Sequence, residues 1–225
     1  IALAIERKRA EAELLRTLAR EKELGQLKST FVSMVSHEFR TPLGIIQSSA
    51  EILHDYFSQL ESPQREEQLQ SIVKNTQRMA GMMEEILVLS RLDSGKMEFK
   101  PARLDLAGFC HRLVEQVLSA TARRCPIELR LTTLPAEAQA DERLLDYIFS
   151  NLLGNAVKYS PAGSPVQFTV DRDGPHAVCR ISDQGIGIPV ADQPWLFNAF
   201  HRGANVGERS GSGLGLVLVK RCVEL

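Results

Sequence analysis

Cysteine is sparse and scattered in this sequence. Four thiols stand at positions 110, 125, 179 and 222, with no CxxC pair among them. Zinc sites and disulfide frameworks need clustered or patterned cysteines, so reduced thiols in a cytosolic setting are expected. An excess of one charge is also missing: 27 Lys+Arg face 28 Asp+Glu, a formal net charge of −1. General nucleic-acid binders carry a marked basic excess, so that class is set aside. No apolar run reaches the ~18 residues of a membrane span, and no secretory leader is recognisable. There is no initiator methionine either; the sequence starts at Ile1 inside a helical pattern. A piece of a longer protein is therefore expected, cytoplasmic itself and compatible with a membrane-anchored parent. What is there, 225 residues with 44% hydrophobic and 24% charged, suffices for one large domain or two smaller ones.

Proline is absent before Pro42, and residues 1–54 read as one long charged helix. Leu24, Leu27, Phe31 and Met34 recur at steps of three, four and three, the seam spacing of a coiled coil or bundle. Ser62-Pro63 opens a second helix running to about Leu92. Leu69, Ile72, Val73, Thr76, Met79, Ala80, Met83, Ile86 and Leu87 form its apolar stripe. Two helices on a short loop make a hairpin, and two hairpins make a four-helix bundle in a dimer. Gly95 and Pro101, in "RLDSGKMEFKPARLDL", mark a boundary. Beyond it the pattern is mixed α/β. A helix near 105–122 precedes the strand "IELRLTTL", and a helix over 141–159 precedes two alternating runs, "PVQFTVDR" and "HAVCRISD". A glycine-rich stretch from 184 to 213 leads into a last helix, "GLVLVKRCVEL".

The polar residues fall into a recurring set. In "DERLLDYIFSNLLGNAVKYS", Leu145, Phe149, Leu153 and Ala156 share one helix face, and Asn151, Asn155 and Lys158 share the opposite one. Carboxamide oxygens suit Mg²⁺, a hard cation that shares its ligands with substrate phosphates. A lysine ammonium neutralises phosphate oxygens. After an apolar strand comes "DQGIGIP", where Asp183 can accept a hydrogen bond from an amino group such as that of adenine, and Gly185 and Gly187 permit close approach. "FNAFHR" then precedes "GSGLGL", whose Gly211, Gly213 and Gly215 lead into a helix N-terminus suited to anionic phosphates. Between them, "GANVGERS" has the composition of a mobile lid. Upstream, "SHEFRTPL" sets His37 beside Glu38, with Thr41 and Pro42 behind; Thr41-Pro42 alone reads as a helix kink. On a helical wheel His37 falls outside the apolar arc, whereas Glu38 falls inside it.

In this order the motifs resemble the transmitter core of the sensor histidine kinases of two-component systems, over nearly the whole chain. "SHEFRTPL" is similar to that family's H box, "NLLGNAVKYSP" to its N box, "DQGIGIP" to its G1 box, "FNAFHR" to its F box and "GSGLGL" to its G2 box. There is no GxxxxGK[ST] P-loop and no HRD or DFG set of a Ser/Thr kinase. The resemblance implies a coiled-coil signalling linker over 1–23 and a dimerisation and histidine-phosphotransfer domain over 24–95. An ATP-binding α/β two-layer sandwich of the Bergerat type over 96–225 follows, expected to lack its C-terminal strands.

The resemblance also implies roles. His37 is the expected phosphoacceptor, Glu38 its orienting base, and Thr41 the residue that directs water at a phosphorylated partner. Asn155 is the expected Mg²⁺ ligand, with Asn151, Lys158 and Arg202 near the ATP phosphates and Tyr159 against the nucleotide. Asp183 is expected on the adenine amino group. Gly185, Gly187, Gly211, Gly213, Leu214 and Gly215 are expected to shape the pocket and its lid. The implied partners are a second copy through the helical hairpin, a response-regulator receiver domain, and an upstream sensory domain of PAS, GAF or phytochrome type. The alternative is an ATP-binding dimeric scaffold without kinase activity.

Overall fold

The computed structural model describes residues 2–134, 138–207, 209 and 211–225, and in the first helix the side chains at 14, 21, 22, 25, 26 and from 29 onward. The chain divides into two compact units, Ile1–Gly81 and Met82–Leu225.

The first unit is helical. Helix α1 spans Ala2–Tyr56, and α2, Ser62–Asp93, begins here and ends in the second unit. The side chains that would form a linker seam before residue 24, and those of Leu24 and Leu27, lie outside the described residues. Tyr56 O closes α1 by accepting from the amides of Gln59 and Leu60 at 2.8 and 3.0 Å. Gln64 Oε1 reaches back to accept from the Glu61 amide at 2.8 Å, capping a helix with Pro63 in its first turn. Helix α1 continues through the fully buried Pro42 without a break in its assignment. The Thr41-Pro42 pair, read from the sequence as a kink, does not end the helix, and the missing N–H of Pro42 leaves the Glu38 carbonyl without its usual donor.

The covered line of α1 runs through Phe31, Val35, Glu38, Pro42, Ile46 and Ser49, at steps of three and four. Met34, expected in the seam with Phe31, is instead 42% exposed. From Phe31 the covered line takes a step of four, to Val35, rather than the step of three that the seam spacing predicts. Along α2, Leu69, Val73, Met83 and Leu87 also stay open to solvent, while Ile72, Met79 and Ile86 are half-buried.

The second unit is α/β. It contains β1 (Ala102–Leu104), α3 (Leu106–Ala120), β2 (Ile127–Leu131), β3 (Ala138–Ala140), α4 (Glu142–Tyr159), β4 (Val166–Asp173), β5 (His176–Ser182), a 3₁₀ turn at Gln193–Trp195, and α5 (Gly215–Glu224). Strands β2, β4 and β5 form one sheet in the order β2-β4-β5, with β2 parallel and β5 antiparallel to β4. Strands β1 and β3 pair antiparallel in a separate two-stranded sheet, Leu104 facing Ala138.

Alternation along β4 turns Val166, Phe168 and Val170 inward, all at 0% exposure. They meet Phe109, Leu113 and Val117 of α3 and Phe149, Leu153 and Val157 of α4 in a single core. The Phe149 and Phe168 rings lie 5.5 Å apart at 43°, an arrangement that adds to simple area burial. A smaller cluster joins Val88 near the end of α2 to Leu144 of α4 and to Leu218 and Cys222 of α5. With its apolar face sunk in the main core, α4 turns its polar face the other way. That orientation positions the site.

Candidate functional site

A cavity of about 490 Å³ opens beside α4. Asn151, Asn155, Lys158 and Tyr159 line it from the helix, Asp183 and Gly187 from the turn after β5, and Arg202, Gly211, Gly213 and Gly215 from the long loop and the start of α5. The structure thus gathers ten of the twelve sequence-predicted nucleotide residues around one space. The other two stand behind it. A Cβ on Gly185 would come within 2.7 Å of Asp183 Oδ1 and 3.0 Å of the Tyr159 carbonyl. Leu214 is 1% exposed and caps α5.

Local bonds shape the walls. Asp183 Oδ1 accepts from the Gly185 amide at 2.8 Å, folding the carboxylate over its own turn. The Asn151 carboxamide donates to Tyr147 O at 2.8 Å, and its oxygen occupies the place a Cβ on Gly215 would need. Asn155 is half-buried, and its carboxamide has no hydrogen-bond partner among the described residues. Lys158 Nζ lies 4.5 Å from the centre of the Tyr159 ring and against Gly211, whose missing side chain makes room for it. The guanidinium of Arg202 donates to the carbonyls of Gly207 and Arg209. It therefore braces the loop from within.

The loop is tied at both ends. Asp192 Oδ2 accepts from the Ala204 amide at 2.9 Å, and Asn205 donates to the Ile186 and Gly187 carbonyls at 3.2 and 3.1 Å. At the far end the Phe200 amide donates to Gly213 O at 3.1 Å.

Sequence reasoning missed several residues of this cavity. Ser212 accepts from the Leu214 amide at 3.1 Å and donates to Glu85, whose carboxylate lines the space. Burial pushes the Glu85 carboxyl above the usual carboxylate range, against the pull of the Ser212 hydrogen bond and the Lys158 charge. Glu85 lies near the end of α2, and nothing in "MMEEIL" distinguishes it from a solvated helix acid. His201, 3.6 Å from Asp192, also lines the cavity. Cys179 does too, but burial raises its thiol, as it raises Cys110 and Cys222 to about 11. Thiols held protonated are poor nucleophiles.

The other predicted group sits in the helical unit. The His37 side chain is 73% exposed, and its Nδ1 stands 3.8 Å from Glu38 Oε1. The second nitrogen, Nε2, is thus the one turned away from Glu38. Thr41, one turn further, is exposed. Glu38 is only 25% exposed, and Arg78 Nη2 of α2 reaches its other oxygen at 3.3 Å. The wheel position of Glu38, inside the apolar arc, was the available signal: a charge on a covered face needs a partner.

Comparisons with known proteins find two family matches along the chain. Residues 27–95 match the family described as His Kinase A (phospho-acceptor) domain. Residues 140–225 match the histidine kinase-, DNA gyrase B-, and HSP90-like ATPase family. The chain is 33% identical over 219 residues to sensor protein kinase PmrB of Pseudomonas aeruginosa, covering 95% of this chain and 44% of that protein. It therefore spans less than half the length of that curated relative. Acinetobacter baumannii histidine kinase AdeS shares the fold, with a TM-score of 0.64 at 21% identity over 84% of this chain and 86% of the other. Full-length ShkA, solved in complex with AMPPNP, gives a TM-score of 0.60 at 25% identity over 87% of this chain and 40% of that one. A phospho-acceptor match on the helical hairpin, followed by an ATPase match on the α/β unit with its cavity, identifies the chain as the transmitter core of a two-component histidine kinase.

Proposed function

We propose that this transmitter core autophosphorylates His37 from ATP and passes the phosphoryl group to an aspartate of a response-regulator receiver domain. The observation that carries the reading is the gathering of Asn151, Asn155, Lys158, Tyr159 and Asp183 on one cavity, in a chain whose His37 is open to solvent beside a carboxylate.

In this reading Asp183 accepts from the adenine amino group and the Tyr159 ring packs against the nucleotide. Lys158 and Asn151 meet the phosphates, with Gly211, Gly213 and Gly215 letting backbone approach them. Neutral imidazole attacks the γ-phosphorus through Nε2 while the bond to the β-γ bridging oxygen breaks and ADP leaves. Glu38 accepts a hydrogen bond from Nδ1–H, holding the tautomer and stabilising the cation as the N–P bond forms. Positioning and electrostatics carry most of such a transfer.

Asn155, whose carboxamide has no hydrogen-bond partner among the described residues, fits a Mg²⁺ ion. Among the described residues no group of three His, Cys, Asp or Glu side chains could hold a metal by itself, which suits an ion that takes most of its ligands from phosphates and water. Bound there, it would offset phosphate charge. Arg202 acts through the loop it braces. Thr41, exposed one turn after His37, orients water for removing phosphate from the regulator, which makes the enzyme bifunctional.

The open apolar residues of α1 and α2 support a homodimer through the hairpin, with 24–95 as the phosphotransfer domain and 96–225 as the catalytic one. A sensory module upstream feeds the helix over 1–23. No helix among the described residues is long and apolar enough to cross a membrane; a cytoplasmic site for this piece, with a membrane-anchored parent, fits the reading.

The test is incubation with ATP labelled in the γ-phosphate, with Mg²⁺, comparing wild type with His37→Gln. An acid-labile, alkali-stable label is expected on the wild type and none on the variant, with ATP binding unchanged by calorimetry. Label surviving in His37→Gln overturns the assignment.

A further inference from the structure

Arg78 has no place in the motifs, yet it is the only described cation paired with Glu38 from another helix. Its Nη2 lies 3.3 Å from Glu38 Oε2, across 40 residues of sequence, while Glu38 Oε1 lies 3.8 Å from His37 Nδ1. The carboxylate is therefore shared, one oxygen turned to each neighbour. Both ends of the Arg78–Glu38 pair are three-quarters covered, at 26% and 25% exposure, so bulk water competes weakly for them. Two further facts single this arginine out. Its Nε is buried with no hydrogen-bond partner among the described residues, which is uncommon for a buried polar atom. Glu38 also sits on the covered line of α1, where a carboxylate without a counter-charge would be expelled toward solvent.

We propose that Arg78 is a positioning residue for the phosphoacceptor: from α2 it fixes the Glu38 carboxylate so that Oε1 faces His37 Nδ1. Resting on the phosphoacceptor reading of His37, this adds a member to the machinery from a different helix. The guanidinium is planar and its donors are fixed in a fork, so it constrains where a carboxylate points as well as its charge. Without Arg78, Glu38 can rotate away from the covered face, and His37 loses the acceptor that selects the Nδ1–H tautomer. Imidazole then drifts toward the Nε2–H form, which has no lone pair on the attacking nitrogen. Any displacement of α2 along α1 would thus reach His37 through this one carboxylate.

The test has two arms. In the first, ¹⁵N NMR of the His37 ring, assigned by its loss in His37→Gln, reports the tautomer without any turnover. The Nδ1–H form is expected to dominate in wild type, and Arg78→Met is expected to shift the ring toward Nε2–H as far as Glu38→Gln does. In the second, Arg78→Met is expected to lower kcat of autophosphorylation about tenfold with KM for ATP unchanged. In the Glu38→Gln background it should cause no further loss, because the two residues act in series. Arg78→Lys, which keeps a cation on α2, should recover part of both signals. Should Arg78→Met not fold, Arg78→Gln takes its place with the same expectations. A wild-type tautomer in the Arg78 variant, or additive losses in the double variant, overturns the proposal. Absence of any label on wild-type His37 overturns the kinase reading instead, and leaves the NMR arm to decide the role of Arg78.

Discussion

At the scale of single residues, Gly213 shows how narrowly the loop is constrained. Its φ is +72°, and a Cβ there would stand 2.7 and 2.8 Å from Phe200 Cα and C. Those are backbone atoms held by the Phe200 amide to Gly213 O bond, so they cannot yield as a side-chain tip would. Phe200 itself sits at φ +63°, a conformation rare for a bulky residue. The two positions form a pinch that closes the loop from 200 to 213 on itself and sets where its glycines face the cavity. Gly213→Ala carries both penalties, conformational and steric, with a local cost of about 1–3 kcal/mol. Because the change lies outside the core formed by α3, β4 and α4, the expected result is about tenfold weaker ATP binding by calorimetry, with only a small change in thermal midpoint. An unchanged Kd would show that the pinch does not shape the nucleotide site.

At the scale of elements, the start of α4 governs how its polar face is presented. Asp141 caps the helix, its Oδ1 accepting from the Arg143 amide at 3.1 Å, while Oδ2 takes the Lys100 amide at 2.9 Å and the Arg143 guanidinium at 2.8 Å. Those bonds, the Arg143 side chain first among them, lower the carboxyl from 3.8 to about 2. A carboxyl held below its unfolded value stabilises the fold at pH above that value, and the contribution fades as pH falls from near 3.8 toward 2. Asp141→Ala is expected to cost about 2 kcal/mol at neutral pH. Chemical denaturation should show the gap between wild type and variant shrinking as pH drops through that window; a gap constant with pH would deny the carboxylate its role. Much of this layer was legible beforehand. The polar and apolar faces of α4, the alternation in β4 and β5, and the glycines at 187 and 213 all follow from period and residue type. Strands β1 and β3 were not legible, because three residues such as "ARL" or "AQA" carry no period, and their pairing, Ala102 to Ala140, is made only by the fold. Glu85 and Arg78 were hidden for the same reason. Each lies on α2 among ordinary helix charges, and only a distant partner, Ser212 or Glu38, distinguishes it.

At the scale of the whole molecule, the apolar surface left open is the main unspent driving force. Leu69 and Val73 on α2 are 49% and 55% exposed, and on α1 Val32 and Leu43 are 56% and 53% exposed. These are the positions that a hairpin alone cannot cover, since the line through Phe31, Val35 and Pro42 already takes the side of α1 that is covered. Isolated exposed leucines are ordinary, but several in register along two helices mark an association surface. A second copy with the same stripe would bury both at once, giving the isologous four-helix contact of a twofold dimer. Each hairpin would need to contribute roughly 800 Å² for a stable interface, which an extended helical stripe can supply. Leu69→Glu with Val73→Glu places two like charges against their own symmetry mates, so sedimentation should change from dimer to monomer at micromolar concentration. ATP binding should survive in that monomer, because every residue lining the cavity belongs to the second unit. Two outcomes go against this arrangement: a wild-type chain that sediments as a monomer, or a variant that stays dimeric. The second would move the interface to another face of α1 and α2 while leaving the nucleotide site where it is.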